Sequence, residues 1–436
     1  MAPRTAVMEA VEKLNYRVTI GDVAAQSGLG LNIAQREIVA LAAETGGNIQ
    51  VAESGEIAYK FAPNFRQVLV SRSFWLQVKE WLKGAWKWAF YAIRISFGIL
   101  LIASILIVVL GIIAATIALQ SQGRSDNDRN DRRNDNRGGG GGFIWLGGWG
   151  NPFGNPFIMF DPYYYEPEQV RKRDPDEMGF LESVFSFLFG DGNPNADLDE
   201  RRWRDIASMI RSHNGVVIAE QIAPYLDETS RLEGDEYFVI PVLSKFNGFP
   251  EVSDAGTLAY KFPELQKVAS ERKAKTSSSY LQEKLWKFSQ ASQGKIALAI
   301  GLGVFYLVAA LYLNSLLANP KLVGVALSGF WGLILGFVKV AQPLLLGYAV
   351  LFLSTPAVRY FVLQFLNKGI GDRNQKRSVN AEKIQNPSST LREKLDFAKT
   401  FAMKQEAIDQ DNLAYTTEQD LADQEYAKML KEQKNK

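Results

Sequence analysis

Residues 95–119, ISFGILLIASILIVVLGIIAATIAL, run for 25 positions without a charge. A helix needs about 20 apolar residues to cross the hydrocarbon of a bilayer, where only helices and closed barrels satisfy their own backbone. The stretch lacks the polar stripe that a buried soluble helix keeps, so it reads as a transmembrane helix. A second tract, IALAIGLGVFYLVAALYLNSLLA at 296–318, has the same character. A third, LVGVALSGFWGLILGFVKVAQPLLLGYAVLFLSTPAV at 322–358, is interrupted by Lys339 and Pro343. It is too long for one ordinary crossing, and two crossings broken near the lysine and proline are expected. Residues 296–366 are therefore read as a bundle of two or three helices, with three to five crossings in the whole chain.

The approach to the first apolar tract, SFWLQVKEWLKGAWKWAFYAIR, sets Lys79, Lys83, Lys87 and Arg94 among four tryptophans. Cations and amphipathic rings at this place form an interfacial collar, and their excess puts the N-terminus on the cytoplasm-like side. Trp81, Trp86 and Trp88 are candidates for contact with lipid headgroups or with protein. The first residues, MAPRTAVMEAVEKLNY, have no continuous apolar core of a secretory signal.

A short echo organises the rest. GEIAYKF at 55–61 returns as GTLAYKF at 256–262, an offset of 201 at which Ile38, Val39 and Leu41 also fall on Val239, Ile240 and Val242. Upstream, VTIGDVA at 18–24 matches VIAEQIA at 217–223 at an offset of 199, and downstream LQVKEW at 76–81 matches LQEKLW at 281–286. Each copy reads as three small helices followed by a hairpin, the winged-helix order. The chain is thus expected to be a mainly α membrane protein carrying two winged-helix-like α+β domains from an internal duplication, each leading into transmembrane helices. The expected segments are domain 1 over 1–65, a Trp-rich amphipathic connector over 66–94 and domain 2 over 201–265. A second connector covers 266–295, and a polar helical tail covers 367–436. In that tail Leu391 with Leu395, and Phe397 with Phe401, give amphipathic spacing.

Between the copies, residues 120–200 form a linker. RSDNDRNDRRNDNR is solvated and nearly neutral. GGGGGFIWLGGWGNPFGNPFIMFDPYYY follows, with Trp145, Trp149, Tyr163 and Tyr164 as interface candidates. It fits a loop on the membrane surface, a protein contact or a re-entrant segment. A shared fold favours one common side of the membrane for the two domains.

Chemistry is narrowly bounded. The chain has no cysteine and one histidine, His213, which excludes thiolate catalysis, disulfides and cysteine-ligated metal. No phosphate loop, dinucleotide motif or zinc-protease motif occurs, and the acidic GDGNPNADLDERR at 190–202 fails the calcium-loop spacing and reads as a helix-capping loop. No catalytic, cofactor or metal residue is assigned, and no enzyme is expected. In the recognition position Arg36 stands beside Glu37 in the first copy and Lys245 alone in the second. Phosphate contacts supply most nonspecific nucleic-acid affinity, so this poverty argues against such a partner. The expected partners are the bilayer and other membrane proteins or a second copy. The reading is a noncatalytic integral-membrane scaffold or assembly factor. A channel or transporter, marked by the intramembrane charge of Lys339, and a membrane-anchored nucleic-acid-binding regulator are its alternatives.

The segment ESVFSFLFGDGNPNADLDERRWRDIASMIRSHNGVVIAEQIAPYLD, 182–227, resembles a poorly characterised family of multi-pass membrane proteins shared by cyanobacteria and chloroplasts. The resemblance implies a photosynthetic organism and a thylakoid or plasma membrane. Some plant members carry an iron–sulfur biosynthesis label, which a chain without cysteine does not inherit.

Overall fold

The computed structural model describes residues 2–72, 74–123, 178–227, 236–269, 278–322 and 328–402, and the short pieces 406–408, 413–420, 424–425 and 429. The chain begins with α1 (Pro3–Lys13), β1 (Arg17–Thr19), α2 (Ile20–Ser27), α3 (Leu31–Thr45), β2 (Asn48–Ala52), β3 (Ile57–Lys60) and α4 (Phe65–Arg72). The long helix α5 (Phe74–Gly123) and the short apolar α6 (Phe180–Phe189) follow. Next come α7 (Leu198–Ser212), β4 (Val216–Val217) and α8 (Ala219–Ile222), then a 3-10 turn at Tyr237–Val239 that runs into α9 (Ile240–Phe246). After these lie β5 (Phe249–Val252), β6 (Leu258–Lys261), α10 (Pro263–Gln266) and β7 (Lys267–Val268). The chain closes with α11 (Gln293–Leu317), α12 (Gly329–Gln385), α13 (Ser389–Thr400), β8 (Glu406–Ala407) and β9 (Leu413–Thr416).

Contacts divide this chain into two units, one of residues 1–87, 193–286 and 362–436, the other of 88–192 and 287–361. In the first, two domains carry the same strand ladder. β3 lies between β1 and β2, and β6 lies between β4 and β5. Asn48 faces Lys60 and Gln50 faces Ala58, while Phe249 faces Lys261 and Glu251 faces Ala259, so each pair is displaced by 201. Arg17 faces Lys60 and Val216 faces Lys261, the displacement for the first strand being 199. The backbone joints repeat as well: Phe61 N–H donates to Tyr16 O and Phe262 N–H to Gly215 O, both at 2.8 Å. Alternation puts Tyr59 and Tyr260 inward, and one apolar core holds Val7, Ile38, Leu41 and Phe65 together with Ile206, Ile210, Phe246 and Phe262.

The second unit is built on matched seams. On α11, Ala299, Gly303, Tyr306, Ala310 and Leu313 are buried, and on α12 Val338, Gln342, Leu345, Ala349 and Phe352 are buried. Both rows step by four and three residues, the spacing of knobs-into-holes packing. A Cβ on Gly303 would lie 2.7 Å from the Phe352 ring, so this glycine is what lets the helices approach. Leu101 and Val108 of α5, and Val184, Phe187 and Leu188 of α6, complete the core.

Among the described residues, three helices are long and apolar enough to cross a membrane: Gly84–Ser121 within α5, Gln293–Leu317 and Gly329–Gln385. Four expectations need correction. The tract around Lys339 and Pro343 is one unbroken helix, not two crossings; Gln342 Nε2 donates to Ala310 O at 2.8 Å and Tyr306 Oη to Leu345 O at 2.7 Å, tying α12 to α11 on both sides of the proline. LQVKEW lies in helix α5, whereas LQEKLW forms neither helix nor strand. The first helix of the second domain starts at Leu198, and α6 occupies part of the expected linker. The tail after Gln385 is not wholly helical, since α13 is followed by two strands.

Candidate functional site

Trp81, Trp86 and Trp88 stand on α5 with 71%, 68% and 77% of their surface exposed, just before the apolar run. Trp88 meets Tyr91 edge to face at 6.5 Å. Exposed indoles at that level suit a headgroup layer, apolar on the ring and polar at the N–H. Trp145, Trp149, Tyr163 and Tyr164 lie outside the described residues. Lys339 is exposed on α12 and donates to Leu322 O at 3.1 Å, in the 3-10 turn Pro320–Leu322. It therefore ties α12 to the turn preceding it.

At the other end of α6 a polar knot forms within the second unit. Asp191 pairs with Arg94 and accepts from Ser186 Oγ at 2.6 Å and Gln290 N–H at 2.8 Å. Arg359 donates to Phe187 O at 3.0 Å and Ser186 O at 3.3 Å, and also to Phe288 O. A cation on the last carbonyls of α6 satisfies groups that the helix itself leaves open, and favours the negative end of its dipole.

In the first unit, the helices expected at the recognition position are α3 and α9. Lys245 of α9 lies 4.2 Å from the Trp203 ring, and burial lowers its pKa against the opposing pull of Asp199. An ammonium stacked on an indole and partly desolvated is poorly placed for a phosphate. On α3, Arg36 reaches Glu37 at 3.5 Å.

Asp22 joins the two domains. It closes a capping box with Thr19 at the start of α2, its Oδ2 accepting Thr19 N–H at 2.9 Å and its own N–H donating to Thr19 Oγ1 at 3.0 Å. The same carboxylate accepts Arg211 Nη1 of α7 at 2.9 Å and Ala269 N–H at 2.9 Å. Buried and accepting these three bonds, it acts as a fastener between the domains.

The segment 281–286, which forms neither helix nor strand, is held by side-chain amides that satisfy its backbone. Asn374 accepts Glu283 N–H at 2.9 Å and donates to Glu283 O at 2.8 Å. Asn367, two helical turns earlier on α12, does the same to Trp286 at 2.8 and 3.0 Å. Asn195 does so to Lys284 at 2.8 Å in both directions. Glu283 is buried, and a forked hydrogen bond from Arg373, at 2.8 and 2.5 Å, holds its pKa below the ordinary value, with Arg377 adding at 2.9 Å. These distant asparagines are why LQEKLW is not a helix; no signal inside the hexapeptide could have revealed them.

The C-terminal chain docks on both domains. Leu391, Leu395, Phe397, Ala398 and Phe401 of α13 and its end pack on Val216, Ile218 and Ala259. Lys394 Nζ donates to Glu220 at 2.8 Å and Glu236 at 3.1 Å. Glu236 also accepts Tyr260 Oη at 2.6 Å; burial and then this carboxylate push the phenol pKa upward. On the first domain β9 extends the sheet beyond β2, with Gln50 opposite Thr416 and Val51 opposite Tyr415. β8 pairs in parallel with β7.

Among the described residues no group of three or more histidines, aspartates or glutamates could hold a metal. His213 ends α7, its Nδ1 2.9 Å from Met209 O, and lines a cavity of about 220 Å³ with Asn214, Gln221, Leu395 and Lys399.

These features define a mostly helical protein with small sheets and, among the described residues, three helices of membrane-crossing length. The chain belongs to the family of an uncharacterised chloroplastic protein of Arabidopsis thaliana, At5g03900, to which it is 37% identical over 437 residues, covering 97% of this chain and 80% of that protein. No protein-family profile matches the chain, and no solved structure does.

Proposed function

We propose that this protein is a noncatalytic integral-membrane scaffold or assembly factor, whose two winged-helix domains arose by internal duplication and dock other proteins at a photosynthetic membrane. The observation that carries this reading is that each domain already holds a segment of the C-terminal chain by protein-type contacts, β9 on the β2 edge and α13 on the β4–β6 face. The duplication is supported by pairing registers displaced by constant offsets. The helix–helix–helix–hairpin order supports the winged-helix assignment. The chloroplastic relative supports a photosynthetic membrane, of thylakoid or plasma-membrane type in a plastid or a cyanobacterium. The apolar core that the two domains share supports a common side of the membrane for both.

The cations α3 and α9 offer weigh against nucleic acid, and the bond of Lys339 to Leu322 O weighs against a charge on a solute pathway. The test is the native mass of the protein from gently solubilised membranes, with solute flux measured in parallel on the purified protein in liposomes. A stoichiometric protein complex without flux is expected; flux from the purified chain alone would overturn the reading in favour of a transporter. Cysteines placed at Ser54 and Ser253 should label from the same face, and opposite labelling would refute the common side.

A further inference from the structure

The two hairpin edges in the first unit are finished in opposite ways. In β2 the even-numbered residues bond to β3, which leaves Ile49 and Val51 directed outward. Ile49 N–H donates to Thr417 Oγ1 at 2.8 Å, and Thr417 N–H donates to Ile49 O at 3.0 Å. Lys60 Nζ holds both oxygens of Glu418, at 2.7 and 2.9 Å. At the equivalent outward position of β5 stands Pro250, facing Tyr260 as Ile49 faces Tyr59, and proline has no N–H to offer. One edge is closed to an incoming strand by its own sequence. The other is open and merely covered.

The cover is light. No residue of β9 is buried, and Ala414 and Tyr415 are exposed. Its hold is a short backbone ladder, the half-buried Leu413 packed on Ala52 and Ala58, and one exposed ion pair of the type that salt screens readily. Beyond it, the Gln424 side chain accepts Thr416 N–H at 3.0 Å and donates to Thr416 O at 2.6 Å, so the sheet ends after one added strand. We propose that the β2 edge is a docking site for an extended segment of a protein partner, and that the chain's own residues 413–418 occupy it as a resident competitor. The proposal rests on the protein-docking reading above. The partner segment is a β-strand that places a hydroxyl residue opposite Ile49 and a carboxylate against Lys60, the chemistry that Thr417 and Glu418 supply in cis. Strand addition to a sheet edge draws affinity from the main chain and selectivity from such side chains.

The experiment uses the full chain in nanodiscs and a fluorescent peptide of residues 411–420, DNLAYTTEQD. A tethered competitor acts at roughly millimolar effective concentration, so wild type should bind the peptide weakly. Tyr415→Pro, which breaks the ladder of the resident strand, should bind it at least tenfold more tightly. In that background Ile49→Pro should abolish binding, and Lys60→Glu should weaken it unless the peptide carries Glu418→Lys. Should Tyr415→Pro fail to fold, Thr417→Ala combined with Glu418→Lys releases the tail without a backbone change. Equal binding by wild type and a released variant, no binding by either released variant, or binding that survives Ile49→Pro would each overturn the proposal. Flux from the purified chain would defeat the scaffold reading and leave the peptide result standing, so the two failures are separable.

Discussion

At the joint between first helix and first strand, one domain has Asn15 and Tyr16 and the other Asn214 and Gly215, all with positive φ. Tyr16, at φ 63°, turns its ring edge-on to Phe65 with centroids 6.2 Å apart. Gly215, at φ 77°, is covered by Gln266, the counterpart of Phe65, whose amide donates to Asn214 O at 2.8 Å. The backbone bonds through the joint keep their partner positions, and those of Tyr16 and Gly215 also match in length, N–H to Val11 O and to Ile210 O at 2.9 Å and carbonyl from Phe61 N–H and from Phe262 N–H at 2.8 Å. A ladder can thus be kept while the side chains around it change from an aromatic pair to a polar lid, because the ladder asks only for main-chain geometry and a filled space. The same reassignment runs through the helix that follows: Asp22 and Gln221 both accept the N–H three residues before them, but Asp22 alone of the two also takes Arg211 and Ala269.

The helix-cap difference is the strongest lever. Asp22→Ala removes the carboxylate that faces a largely buried arginine, a change that costs about 3–5 kcal/mol. Gln221→Ala should cost about 1 kcal/mol, the worth of one hydrogen bond. Denaturant unfolding of the detergent-solubilised protein measures both, and equal losses would show that the two caps do the same job. Next in size is the joint. A Cβ at position 215 would lie 2.2 Å from Gln266 Cγ at a φ that side chains avoid, so Gly215→Ala should cost about 1–3 kcal/mol. Tyr16→Gly gives up an aromatic pair but relieves the same φ, two terms of about 1 kcal/mol that nearly cancel. A large loss in the second variant would mean that the aromatic pair, not the backbone, sets the joint.

Titration separates the segments that the C-terminal chain brings to the unit. Burial works against the charge of Lys394, but the hydrogen bonds and charges of Glu220 and Glu236 prevail and raise its pKa. A raised folded value means that its contribution is complete below the unfolded value and fades as pH climbs through the folded one. Docking of α13 should therefore loosen only in strong alkali, by about 1 kcal/mol for a partly exposed group. Glu283, lowered by Arg373, has the opposite sign: its contribution is complete above the unfolded carboxylate value and is lost as pH falls through the folded one. Hydrogen exchange should show α13 opening at high pH and the 281–286 segment opening at low pH. Reversal of that order would refute both assignments.

Much of this was legible because it is local. The apolar runs at 95–119 and 296–318 need only counting, and the AYKF echo carries the ladder register with it. The failures share one cause, support from far along the chain. LQVKEW and LQEKLW are nearly the same word, yet one is helix and the other is irregular, its backbone bonded to Asn195, Asn367 and Asn374. Pro343 looked like a break, and Tyr306 and Gln342 hold the helix together around it. LAYT at 413–416 is too short to stand out as a strand inside a charged tail; it is one because β2 offers an edge.

That edge gives the smallest effect on stability and the sharpest contrast. Pro250→Ile on β5 restores an outward N–H on a strand whose Phe249 and Val252 are 42% and 62% exposed. It adds no contact within the molecule, so stability should change by less than about 0.5 kcal/mol, the range of ordinary surface substitutions. What should change is behaviour between molecules, because an apolar edge with paired donors and acceptors is a template for further strands. Light scattering in nanodiscs or mild detergent should show association that grows with concentration in the variant and is absent in wild type. If the variant stays as dispersed as wild type while β5 remains protected from exchange, Pro250 is not what keeps that edge closed, and the two hairpins differ only in which segment of the tail happens to reach them.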